Sequence, residues 1–155
     1  MISKNLYAAT YYSSSIASNP NALGNWWTNT DNTGTNPPNF TTAGDIFIIQ
    51  SGHTYTTSGA WGVTGTVQVA GTLTIGTANS VTNLTIVNGG LVTGNAPTTI
   101  SAAGTFTIQD GGKYILNHTI GNASTTFNGT ESFSANSTFE YQNLINPGTF
   151  VSGIT

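Results

Sequence analysis

Between Ile46 and Leu116 apolar and polar positions alternate in short bursts, and the bursts recur. Three of them align as Ile46-Phe-Ile-Ile-Gln-Ser-Gly-His-Thr-Tyr55, Asn83-Leu-Thr-Ile-Val-Asn-Gly-Gly-Leu-Val92 and Thr105-Phe-Thr-Ile-Gln-Asp-Gly-Gly-Lys-Tyr114, with a shorter copy at Thr66-Val-Gln-Val-Ala-Gly-Thr-Leu73. Each runs apolar, polar, apolar, then a turn residue with Gly, then a further apolar position. The equivalent positions Ile49, Val69, Ile86, Ile108 and Phe127 are 20, 17, 22 and 19 residues apart. A repeat of about twenty residues is the signature of a stacked-coil architecture.

Alternation at period two sends Phe47 and Ile49, Val67 and Val69, Leu84 and Ile86, and Phe106 and Ile108 to one face, with Ile48, Gln68, Thr85 and Thr107 between them on the other. Tyr55, Leu73, Leu91 and Tyr114 are expected to open a second inward row, continued by Ile75 and Leu116. Gly52, Gly71, Gly89 and Gly111 stand where coil corners need permissive dihedrals, and Ser51, Asn88 and Asp110 before them are candidates for a corner ladder. Coils that bring like strands side by side make parallel sheets, and parallel crossovers are right-handed. The expected fold is all-β: a right-handed parallel β-helix, or β-solenoid, of about five coils.

Residues 1–44 stand apart from this pattern and hold Tyr7, Tyr11, Tyr12, Trp26, Trp27 and Phe40. An open first coil would expose its interior and an unpaired strand edge, so an aromatic-rich N-terminal cap is expected over 1–44, with coils over 45–155. The rival use of the aromatics is a carbohydrate-binding module in which Trp26, Trp27 and Trp61 stack on sugars. Clusters at the start of a repeat array are more often plugs than platforms. Toward the C-terminus the pattern weakens, with strand starts at Thr126-Phe127 and Thr138-Phe139 and a coil of only 14 residues from Phe127 to Tyr141.

Composition sharpens the picture. In 155 residues there are five acids, two lysines and no arginine, against 29 Thr, 19 Gly and 18 Asn. Such a mixture favours strands and turns over helices. A polar surface with so little charge fits a secreted or cell-surface location better than a cytosolic enzyme. A net charge of −3 supplies no footprint for phosphate backbones, which excludes nucleic acid as a partner. Without cysteine, no disulfide or thiolate site forms. No apolar run reaches the roughly 20 residues of a membrane-spanning helix, and the first ten residues lack the apolar core of a complete signal peptide.

Two stretches, Gly24-Asn-Trp-Trp27 through Gly44-Asp-Ile-Phe-Ile-Ile-Gln-Ser-Gly-His-Thr54, and Gly65-Thr-Val-Gln-Val-Ala-Gly-Thr-Leu73, resemble the N-terminal parts of very large secreted surface proteins of Bacteroidota. The likeness covers roughly residues 10–116. It implies a β-helix module of an adhesin or extracellular filament, carried as type IX secretion cargo.

Catalytic, cofactor and metal sites are not expected. Polysaccharide lyases and glycosidases on β-helices need clustered acids, whereas Asp31, Asp45, Asp110, Glu131 and Glu140 are dispersed. Asn29-Thr-Asp-Asn-Thr-Gly34 imitates the start of a calcium loop, but Phe40 falls where its bidentate Glu belongs, and the stretch is read as a turn. His53 and His118 have no acid beside them in sequence. A minor alternative, ice or crystalline-surface binding through Thr54-Tyr-Thr56 and Thr72-Leu-Thr74, is interrupted in the next coils by Gly90-Leu-Val92 and Lys113-Tyr-Ile115. The expectation is a non-enzymatic structural or adhesive module. Its C-terminal end should be covered by further coils continuing the chain or by another surface or secretion protein, or associate end to end, with Leu144, Ile145, Phe150, Val151 and Ile154 available for the contact and Pro147 as the only edge defence.

Overall fold

A computed structural model describes residues 8–94, 98–100, 103–117, 126–127 and 129–142. The chain is all-β, with 48% strand and 3% helix, and forms a β-solenoid of about three turns. The helical content among the described residues is a single 3-10 turn at Leu23–Asn25. One sheet holds β1 (Thr10–Ser13), β2 (Trp26–Trp27), β3 (Ile46–Ile49), β5 (Trp61–Val69), β7 (Asn79–Ile86), β9 (Thr98–Ile100), β10 (Thr105–Ile108), β12 (Thr126–Phe127) and β13 (Thr130–Phe133). The other stacks β4 (Thr54–Thr56), β6 (Thr72–Ile75), β8 (Leu91–Gly94), β11 (Lys113–Asn117) and β14 (Thr138–Gln142) in that order.

Among the described residues every pairing except β1 with β2 is parallel. Their register follows the sequence repeat: Phe47, Val67, Leu84 and Phe106 face one another in turn, as do Ile49, Val69, Ile86 and Ile108. All eight side chains are buried. Each contributes roughly 1.5–3 kcal/mol through removal of its apolar surface from water, which locks the register because a one-residue slip would turn the whole row outward.

The second inward row differs from expectation at one place. Val92, not Leu91, pairs with Leu73 and Tyr114, and it is buried whereas Leu91 is only half-buried. The pleat decides this, since Leu91 stands opposite Thr72 and Lys113 on the outer face. The corner in the short copy also differs. Gly52, Gly89 and Gly111 have φ of 81°, 77° and 74°, but Gly71 is not in the left-handed region. It is the counterpart of Gly90, where an added Cβ would lie 2.0 Å from the Val69 carbonyl oxygen, and the short copy omits the left-handed residue itself. The corner side chains reach backbone: Asp110 Oδ1 accepts from the Asn136 N–H at 3.2 Å.

A third inward row was not read from the sequence. The first half of β5 pairs with the first half of β7, and that with β9, placing Trp61 opposite Asn79 and Val63 opposite Val81. These four are buried. The register breaks between Val63 and Thr66, where Gly65 passes so close to Asp45 that a Cβ would meet its carbonyl oxygen at 2.0 Å. Each turn therefore contributes three strand runs, and one of them merges into the next through a bent strand.

At the C-terminal side the expected row position falls to a different residue. Phe133, not Phe127, is in register with Ile108, while Phe127 pairs with Ile100. Phe127 and Tyr141 thus lie in different sheets, and their separation is not a coil length. Residues 143–155 and His118 lie outside the described residues.

Candidate functional site

The N-terminal segment contributes a strand to the stack before the expected boundary at residue 45. β1 lies parallel on β3 with Tyr11 opposite Phe47, and β2 returns antiparallel along β1. Trp26 is wholly buried. Its ring meets Phe47 edge-on at 5.3 Å, Tyr55 at 5.6 Å and Trp61 in a stack at 6.0 Å. Its Nε1–H donates to the Pro20 carbonyl at 2.9 Å, which satisfies the polar edge of an otherwise apolar ring. Phe40 closes over Phe47 and Trp61 at 5.2 and 6.0 Å. Of the three indoles considered for sugar stacking, Trp26 and Trp61 are thus committed to the interior, and Trp27 alone is half-buried. Trp61 Nε1 has no hydrogen-bond partner among the described residues, and Trp61 borders a shallow recess of about 290 Å³ with Ala60, Gly62, Ala78, Asn79 and Ser80.

Polar groups fasten the same end. The Tyr55 hydroxyl accepts the Ser14 N–H at 2.8 Å and reaches the Asn25 carbonyl at 3.0 Å, and burial pushes its pKa up to about 12 against a smaller opposing effect of the Ser14 backbone. Ser13 is buried, and its Oγ lies 2.7 Å from His53 Nδ1 while accepting the Gln50 N–H at 2.9 Å. This pair ties the first corner to β1. Ser13 is inaccessible, and among the described residues no carboxylate is hydrogen-bonded to the ring, so the pair serves here as a tie between two segments of backbone. Asp45, also buried, accepts the Ala9 N–H at 2.9 Å.

The remaining acids occupy separate environments. Asp31 Oδ1 accepts the Thr33 N–H at 3.1 Å and its hydroxyl at 2.6 Å, an Asx turn beside Asn32 at φ 65°, and the hydroxyl bond is the main reason its pKa is lowered. The calcium-like stretch is therefore closed on itself as a turn. Glu140 lies outward on β14, 2.5 Å from Lys113, and its pKa is lowered first by Gln142 and then by Lys113. Glu131 sits on the other sheet in the row of Phe106. Among the described residues no group of three His, Asp or Glu is placed to hold a metal, and no helix is long and apolar enough to cross a membrane.

The outer face of β4, β6 and β8 carries Thr54 beside Thr72, and Thr56, Thr74 and Thr93 in one row. The threonine row thus runs one rung further than the sequence alignment placed it, because Thr93 rather than Val92 follows Thr74. Compared with known proteins, the chain matches no family model, no curated protein and no solved structure.

Proposed function

We propose that this chain is a non-enzymatic structural and adhesive module of a larger extracellular or cell-surface protein. In this reading it is a right-handed β-helix of five coils, with the aromatic segment before residue 45 as its cap. The observation that carries the reading is the difference between the two ends of the stack. At one end β1 and β2 lie over the first coil with Trp26 at zero exposure. At the other, Phe133 and Phe139 are only half-buried and Glu131 stands on the interior side of β13, whose outer edge is unpaired among the described residues. A stack sealed at one end and pairable at the other is suited to continue into further coils or into a partner.

The count of five rests on the five strands of the second sheet, and the hand on the general preference of parallel crossovers. Secretion by the type IX route, and a filament or adhesin role, rest on the Asn-Trp and Gly-His-Thr stretches alone. Antibody raised against the chain should label intact cells of its source, and loss of the coding sequence should reduce adhesion or filament formation. Labelling seen only after permeabilisation would refute surface display.

A second reading, binding to ice or another crystalline surface, is favoured by the Thr56, Thr74 and Thr93 row. Partition of the chain into growing ice, lost in Thr74→Tyr, would support it; exclusion of the unaltered chain from ice would dismiss it for that surface.

A further inference from the structure

One inward row changes character at its last rung. It reads Phe47, Val67, Leu84, Phe106 and then Glu131. The first four are buried. On β13 the less exposed positions are Glu131 and Phe133, while Thr130 and Ser132 are exposed, so the Glu131 side chain leaves the strand on the interior side. It has no hydrogen-bond or ion-pair partner among the described residues. β13 pairs with β10 on one edge, and its other edge is unpaired among the described residues.

We propose that this edge of β13 is a docking edge for a strand that carries Lys or Arg at the position facing Glu131, and that such a strand comes from outside this 155-residue sequence. The proposal rests on the reading that the C-terminal end of the stack is covered. An apolar residue stacked on an ionised carboxylate would strip its water without replacing it, which is strongly unfavourable; a cation in the same place compensates. An inward charge on a terminal strand also repels indiscriminate edge pairing, so it selects among partners.

The sequence itself does not supply that cation. Its two basic side chains are Lys4 and Lys113, it has no arginine, residues 143–155 contain neither, and Lys4 precedes β1, which lies five strand pairings away from β13. Lys113 is engaged by Glu140 at 2.5 Å. A second copy stacked in the same register would offer Tyr11, Phe47, Val67, Leu84 or Phe106 in this row, none of them basic.

The test uses the full chain and two labelled twelve-residue peptides copying residues 105–116, one unaltered and one with Phe106→Lys, followed by fluorescence anisotropy. The Lys peptide is expected to bind about tenfold more tightly, and Glu131→Leu should abolish or reverse that preference. Glu131→Gln, a smaller change, provides the same comparison should the leucine variant fail to fold by circular dichroism. Equal binding of both peptides would leave the covered-end reading standing and overturn the charge selection, as would a preference that survives in the variants. Binding of neither peptide would overturn both.

Discussion

The Tyr55 hydroxyl is placed where the first coil meets the N-terminal segment, and nearly everything about it follows from one buried oxygen. It holds the Ser14 N–H and a carbonyl oxygen of Asn25 or Ser14. Tyr55→Phe should cost about 1–2 kcal/mol in urea denaturation, at the modest end because the Ser14 N–H also donates to Asn25 O at 2.9 Å. The raised pKa gives a second readout. The folded state holds the phenol proton more tightly than the unfolded chain, whose tyrosine titrates near 10.0, so this contribution is complete below pH 10 and is lost as the pH rises through about 12. Stability should fall across that window and fall less in Tyr55→Phe. Tyr11, raised by burial and then by the Asp45 charge, keeps part of the slope. Of the candidate residues, Trp26 stands ahead of the repeat in sequence and is wholly buried against Phe47, Tyr55 and Trp61. The inward position of Glu131 is not legible in the sequence, because Phe127 continues the spacing of the row while Phe133 is the residue in register with Ile108.

At the scale of strands and corners, the register of β3, β5, β7 and β10 was readable because inward positions there are branched or aromatic and outward ones are polar. The signal failed where both neighbours were apolar. Leu91 and Val92 look alike in sequence, and only pairing with Leu73 and Tyr114 separates them. Leu91→Thr is therefore expected to change stability by no more than about 0.5 kcal/mol, while Val92→Thr, which buries a hydroxyl, should cost about 1–3 kcal/mol. Thermal melts of the two variants decide between the registers. The third row is not legible in the sequence because Trp61, Asn79 and Thr98 share no residue type, although they recur at similar intervals.

The corner glycines divide by physical cause in a way the sequence does not display. At Gly52 the backbone is left-handed but open, with nothing within 4 Å of an added Cβ, so Gly52→Ala should cost about 1–2 kcal/mol of conformational strain. At Gly90 the obstacle is the Val69 carbonyl, part of the ladder that joins adjacent coils through the Val87 N–H at 3.0 Å. A methyl group there must push the coils apart. Gly90→Ala is expected to cost more than about 3 kcal/mol, and equal losses in the two variants would contradict this division.

For the whole molecule, stacking makes each coil depend on its neighbours more than on the remote end, so stability need not be uniform along the axis. The N-terminal end packs Tyr11, Trp26, Phe40, Phe47, Tyr55 and Trp61 against one another, and the middle coils lie between two parallel neighbours. At the other end Phe133 and Phe139 also contact Phe106, at 5.5 and 6.3 Å, yet both are only half-buried, and Glu131 leaves a charge in the row. Amide exchange should therefore be slowest in β5 and β7 and fastest in β13 and β14. Trp26→Ala removes the largest buried ring and should cost about 3–5 kcal/mol. Its effect on exchange should be greatest in β1 and β3 and should fade toward β11, because few contacts cross more than one coil. If Trp26→Ala instead accelerates exchange equally in β3 and β11, the stack unfolds as a single cooperative unit, and the coil-by-coil account of its stability is wrong.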